Sequence, residues 1–152
     1  MMLRVLMVCT GNTCRSPMAE GLMRSLVDGG ALGSAKGLDG VEVSSAGVFA
    51  GAGQPASDGA VEAARALGAD IGGHRSRPLT REMVSDADVI YTMTESHRHA
   101  VLAMAPEAAT KTQRLDALRD VDDPFGGPAA AYEAAAGQVR GAIESRLKEL
   151  AP

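Results

Sequence analysis

The chain has 152 residues, 45% hydrophobic and 22% charged, ordinary usage for a folded domain that excludes disordered and fibrous classes. Lys and Arg number 15 against 19 Asp and Glu, a formal net charge of -4, so no surface for nucleic acid or anionic membrane is expected. Two cysteines are too few for a disulfide scaffold, no apolar run reaches the ~18 residues of a membrane helix, and the N-terminus lacks a signal peptide's long apolar region and cleavage site, which makes the cytoplasm the expected location.

Residues 3–8 form a nearly continuous apolar run, as a strand buried on both faces does. A polar loop follows, and then a helix start at Arg15-Ser16-Pro17. Ser16 is suited to cap its amides, and Pro17 fits the first turn, where a missing N–H costs nothing. Ala19, Leu22, Met23, Leu26 and Val27 share one face, and Gly29-Gly30 ends the helix. Residues 31–40 are small and Gly-rich, a surface loop; residues 41–44 predict a short strand and residues 47–55 a flexible stretch. A helix is expected from Ser57, with Ala60, Val61, Ala64 and Leu67 on one face and Gly68 as its stop. Residues 88–93 predict a third strand, and Thr94 caps a helix running to about Ala105. A weak fourth strand over residues 111–115 precedes a last helix over residues 129–150.

Strands alternating with helices predict an α/β fold, a three-layer arrangement of a central four-stranded parallel sheet with helices on both faces. With no internal repeat and no linker-like shift in composition, residues 1–152 read as a single domain.

The chemistry concentrates in Cys9-Thr10-Gly11-Asn12-Thr13-Cys14-Arg15-Ser16. A Cys six positions before an Arg arises easily by chance, but here the loop joins the end of a buried strand to a helix start, the usual ligand position in open α/β sheets. Its successive amides and the helix N-terminus make an anion cradle. Arg15 can grip two phosphate oxygens with a planar fork, and the same field favours a negative sulfur at Cys9, making it a nucleophile. The loop lacks the Lys and Ser/Thr of a nucleotide-binding P-loop, so it is suited to attack a phosphate rather than hold a nucleotide. A displacement at phosphorus needs an acid for the leaving group. Asp123, in Asp123-Pro124-Phe125-Gly126-Gly127, is the leading candidate, with Asp122 beside it an alternative on chemistry alone.

The run from Val8 to Glu20 resembles the phosphate loop of the low-molecular-weight protein tyrosine phosphatases, and Ser45-Ala46-Gly47, His74 and Asp123-Pro124 follow in that family's order. The resemblance spans essentially the whole chain. It implies that Cys9 is the nucleophile, forming a phosphocysteine, that Arg15 holds the phosphoryl oxygens within a loop of Thr10, Gly11, Asn12, Thr13 and Cys14, and that Asp123 is acid and then base. It also implies that Asn12, Ser16, Ser45 and His74 brace the loop. Substrates would be phosphorylated proteins, with inorganic phosphate as product or inhibitor; no metal or organic cofactor is needed.

Thr13 and Phe125 set the expected specificity. Tyrosine-specific members usually carry an apolar branched residue at the first position and two aromatics after the Asp-Pro. Thr13 and Asp-Pro-Phe-Gly-Gly instead resemble the protein arginine phosphatase branch. A hydroxyl suits a polar guanidinium, and losing one aromatic wall removes stacking worth about 0.5–1.5 kcal/mol. Phosphoarginine is the expected substrate and phosphotyrosine the alternative. Cys14 has two readings, a small residue filling the underside of the loop or the partner of Cys9 in a reversible protective disulfide. His97 and His99, two apart on a helix, face different ways and do not suggest a metal site. A thioredoxin-coupled arsenate reductase would need a further Cys after Cys14, which the chain lacks. A phosphocysteine carrier or a non-catalytic binding module would need neither Arg15 nor Asp123.

Overall fold

The computed structural model describes residues 2–32 and 40–150, so most of the expected loop over residues 31–40 lies outside them. Four parallel strands, β1 (Met2–Cys9), β2 (Gly40–Gly47), β3 (Val89–Thr92) and β4 (Thr112–Arg114), pair in the order β2-β1-β3-β4. The helices are α1 (Arg15–Asp28), α2 (Asp58–Ala66), α3 (Arg81–Asp86), α4 (Glu95–Met104) and α5 (Ala129–Leu150). This is the expected three-layer α/β arrangement. The continuous apolar run of β1 has its reason in the two cores. Val5, Met7 and Cys9 pack with α1, α2 and α5 residues such as Met18, Ala60 and Val139; Leu6 and Val8 pack on the other face with Val84 of α3 and Val101 of α4. Among the described residues no helix is long and apolar enough to cross a membrane.

Several local expectations shift. Ser16 does not cap α1: the N-cap is Cys14 with no side-chain cap, and the helix opens at Arg15. The Ser16 hydroxyl is bonded to the loop instead. Gly29 closes the helix, followed by Gly30 at φ 91. Strand β2 runs three residues past its expected end, because it pairs with β1 along its full length up to Cys9↔Gly47. The inner face of α2 is Ala60, Ala63 and Ala64, with Val61 and Leu67 only partly buried. Thr94 caps α4 as expected, accepting from the His97 amide. Helix α3 and the short 3-10 helix Pro106–Lys111 had no clear apolar period in the sequence; Thr80 caps the first and Pro106 opens the second.

Neighbouring strands leave β1 on opposite sides, β2 on one and β3 on the other. The carboxyl end of β1 is therefore the point where the winding reverses and a crevice opens. Cys9 is its last residue.

Candidate active site

Residues 9–15 curl from β1 into the N-terminus of α1, and a cavity of about 240 Å³ is lined by Cys9, Thr10, Gly11, Thr13, Cys14, Arg15, Asp123 and Phe125. The turn is made possible by Asn12, the one non-Gly residue at positive φ among those described, at φ 57. Asn tolerates this region because its short amide bonds locally. The loop also crosses β2 closely: the Val48 and Phe49 amides donate to the Cys9 and Thr10 carbonyls. A Cβ on Gly47 would collide with the Thr10 carbonyl oxygen, so the last residue of β2 has to be glycine.

Asn12 does not line the cavity. Fully buried, it sits behind the loop as a distributor of hydrogen bonds. Its Oδ1 accepts from the Arg77 amide, 3.0 Å, which fixes the orientation of the side-chain amide. Its Nδ2 then donates to Ser16 Oγ, 2.8 Å, and Ser45 Oγ, 2.9 Å. Ser45 passes its own proton on to Glu20 Oε1 at 2.6 Å, and Ser16 Oγ lies 2.9 Å from Cys9 Sγ. Ser16 is thus placed to give a proton to a sulfur that carries none of its own. His74 Nε2 donates to the Asn12 carbonyl oxygen at 2.7 Å. The four residues expected to brace the loop, Asn12, Ser16, Ser45 and His74, are joined in one network.

Arg15 is buried at the cavity wall. Its guanidinium donates to the Val121 carbonyl, 3.0 Å, and to Thr10 Oγ1, 3.4 Å, and lies 3.6 Å from Asp123 Oδ2. The Asp123 side chain is about half exposed, and its Oδ1 accepts from the Phe125 amide at 3.1 Å, closing an Asx turn that aims the residue. Asp122 does not line this cavity; it lines a neighbouring one, which Asp123 also borders, with Arg119, Pro124 and Gln138. Of the two acids, Asp123 is the one that also lines the cavity of Cys9 and Arg15. Phe125 is largely exposed, a ring at the rim rather than a floor.

Cys14 and Cys9 are both free thiols. Cys14 Sγ lies 3.1 Å from Ser57 Oγ and 3.8 Å from the Tyr132 hydroxyl, so it ties the loop to α2 and α5 as well as facing the cavity. Thr13, half-buried, is held by its carbonyl, which accepts from the Ser57 amide at 2.9 Å.

Three contributors escaped the sequence reading. Glu20 anchors Ser45, and Val121 supplies a carbonyl to Arg15; neither residue type signals such a role. His97 is the third. It is buried, as expected of an α4 residue facing inward, but its Nε2 reaches Thr10 Oγ1 at 2.8 Å. Burial and the nearby Arg15 charge, partly opposed by Asp120 and Asp123, lower its pKa to about 4, so it is neutral at physiological pH. The cap at Thr94 was visible in the sequence; the part His97 takes in that cap, and its contact with a residue 87 positions away, were not.

A family model described as low molecular weight phosphotyrosine protein phosphatase matches residues 4–152. A protein-arginine-phosphatase of Geobacillus stearothermophilus is 39% identical over 97% of this chain and 95% of its own length. The low molecular weight protein-tyrosine-phosphatase Etp of Escherichia coli K12 is 36% identical over 96% and 93%. Among solved structures, the YwlE arginine phosphatase from Geobacillus stearothermophilus superposes with a TM-score of 0.84 at 38% identity, covering 97% of this chain and 92% of that one.

Proposed function

The chain belongs to the low molecular weight phosphotyrosine protein phosphatase family, and from that premise we propose that it hydrolyses phosphorylated side chains of proteins, phosphoarginine first among them. Cys9 Sγ attacks phosphorus while Arg15 and the loop amides hold the equatorial oxygens. The bond from phosphorus to the leaving guanidine nitrogen breaks, and Asp123 gives that nitrogen its proton. Water then attacks the phosphocysteine, Asp123 takes up the water's proton, the S–P bond breaks and inorganic phosphate leaves. Ser16 donates to the sulfur when it is the nucleophile and again when it departs.

The observation that carries this reading is the sharing of one cavity by Cys9, Arg15 and Asp123. For phosphoarginine, the supporting feature is the wall: Thr13 brings a hydroxyl, Phe125 a single ring, and Asp123 a carboxyl group whose carbonyl oxygen can accept from a planar guanidine before its proton is given. A carboxyl group and a hydroxyl favour a polar, hydrogen-bonding group over an aryl ring. Phosphotyrosine is the second reading, favoured by the resemblance to Etp and by the exposed Phe125 ring, on which a phenol could stack. A thiol nucleophile works only reduced, which fits the cytoplasm. Rates on phosphoarginine and phosphotyrosine peptides of matched sequence, measured side by side, test the proposal. A higher kcat/KM on phosphoarginine is expected; a preference for phosphotyrosine moves the chain to the second reading, and no turnover of either overturns both.

A further inference from the structure

We propose that His97 is a positioning residue for the phosphoryl-gripping side of the cavity: as a neutral imidazole it donates to the Thr10 hydroxyl, locks it as an acceptor for Arg15, and turns its proton toward the bound phosphoryl group. The proposal rests on the phosphatase reading above and adds a residue to it.

The tautomer follows from the partners. The Thr94 amide, an obligate donor, points at His97 Nδ1 at 3.2 Å. That nitrogen must carry a lone pair, so the proton of a neutral ring sits on Nε2. Nε2 lies 2.8 Å from Thr10 Oγ1 and donates to it. The same oxygen lies 3.4 Å from an Arg15 terminal nitrogen, which can only donate. With both acceptor sites of the hydroxyl taken, its proton is left for a third partner, and Thr10 lines the cavity. The imidazole cannot be replaced by an imidazolium here. A second ring proton would face the Thr94 amide proton, and the charge would stand beside Arg15. The groups around the ring are Arg15, which disfavours the charged form, and Asp120 and Asp123, which favour it; burial and Arg15 prevail, leaving the pKa at about 4. The reciprocal bond between the His97 amide and Thr94 Oγ1, 3.1 Å, holds the ring from below by fixing the first turn of α4. A histidine at this helix position therefore connects the cap of α4 to the loop after β1.

The two ring nitrogens can be separated by substitution. His97→Asn keeps an acceptor near Nδ1 for the Thr94 amide but falls short of Thr10. His97→Gln keeps a donor at the reach of Nε2. We expect kcat/KM to fall about 10- to 100-fold in His97→Asn, the range that a misplaced gripping group produces, and to be largely recovered in His97→Gln. Affinity for inorganic phosphate, measured by calorimetry, should weaken in the same order. The decisive measurement is a double-mutant cycle with Thr10→Val: His97→Asn should cost little further once the hydroxyl is gone. In the wild-type protein, nitrogen-detected imidazole spectra should show the Nε2–H tautomer, uncharged down to about pH 4. Additive losses in the cycle, unchanged kcat/KM and phosphate affinity in His97→Asn, or an Nδ1–H tautomer would each overturn the proposal. Failure of the underlying phosphatase reading has its own signature, retained turnover in Cys9→Ser, and leaves the tautomer and the phosphate affinities readable.

Discussion

Two cavities open beside the first two strands. One, of about 330 Å³, is lined by Arg4, Glu42, Ser44, Arg77 and Asp86 with parts of β1 and α3; the other, of about 240 Å³, is the Cys9–Arg15 bowl. By volume and by charged residues the first is the richer. Its best-defined ion pair, Arg4 with Glu42 at 3.8 Å, joins side chains that are both more than half exposed. Such a pair is solvated, screened and free to move. In the second cavity Arg15 is buried and its fork is held by Val121 and Thr10. Behind it Asn12 takes a positive φ and spends its amide on three partners. Among the described residues no fully buried side-chain polar atom lacks a hydrogen bond. What distinguishes a reaction site from a hollow is polarity fixed in advance of the ligand, and that comparison can be broken at several points.

The largest effect belongs to Cys9. In Cys9→Ser, turnover should fall below detection while inorganic phosphate still binds, since the amides and Arg15 remain. A variant that turns over at an appreciable rate removes Cys9 as the nucleophile. Next comes the acid. Asp123→Ala should slow formation of the phosphocysteine by about 10²–10⁴-fold, whereas Asp122→Ala, at a residue that does not line the Cys9–Arg15 cavity, should change rapid-quench rates by less than about threefold. The reverse pattern would move the acid one residue back.

The support network gives the third effect. Asn12→Ala leaves the Arg77 amide without its acceptor, takes a donor from Ser16 and Ser45, which keep their bonds to Cys9 and Glu20, and puts alanine at φ 57. Unsatisfied buried groups cost about 1–3 kcal/mol each, a large share of the ~5–15 kcal/mol that holds a domain together. Denaturant titration should show a loss of about 2–4 kcal/mol after partial rescue by water, and kcat/KM should fall with it. If stability drops but kcat/KM of the folded fraction is unchanged, the network serves the fold and not the site.

How much of this could be read from the residues depends on distance along the chain. The strand-loop-helix unit that ends in Cys9 and begins again at Arg15 was legible because periodicity, caps and loop polarity are local signals. So were β1 and β3 as apolar runs and β2 as the alternating Val41-Glu42-Val43, whereas β4 gave only a weak signal because Thr112-Gln113-Arg114 holds no apolar residue. Ser16 was misassigned as a cap because Ser before Pro is the ordinary capping pattern; the closeness of Cys9 and Asn12 recruited its hydroxyl instead. Helix α3 was missed because six residues with one buried side chain, Val84, give no period to detect. His97 and Glu20 were invisible as site residues for another reason. Their partners, Thr10 and Ser45, are brought to them by the sheet, and nothing in a linear pattern states which side chains a crossover places together.

Thr13 tests the comparison within the bowl itself. Thr13→Ile replaces a hydroxyl with a surface that can only pack, and the backbone should tolerate it because the Thr13 contact with Ser57 is through the carbonyl. The ratio of kcat/KM on phosphoarginine to that on phosphotyrosine should fall about 3- to 10-fold, in line with ~0.5–1.5 kcal/mol for gaining or losing one favourable contact to the ring. An unchanged ratio would mean that the wall residue does not read the leaving group and would shift attention to Phe125.

The smallest effect is expected in the larger cavity, and it matters because volume and charge would predict otherwise. Arg4→Ala removes a guanidinium whose partner Glu42 is itself in water, so the expected change in stability is about 0–1 kcal/mol. The Arg4 backbone amide, which donates to Asp88 Oδ2 at 2.8 Å, is untouched by the substitution. Neither kcat/KM on phosphopeptides nor inorganic phosphate affinity should move, because no hydrogen bond links Arg4 to Arg15, Asn12 or Thr10. A loss of more than about fivefold in either, with stability unchanged, would show that the two cavities communicate through β1. The seven-residue stretch from Arg4 to Thr10 would then be acting as a lever rather than as a fixed floor. An effect confined to stability would instead confirm that charge without fixed partners contributes to the surface of this fold and not to its chemistry.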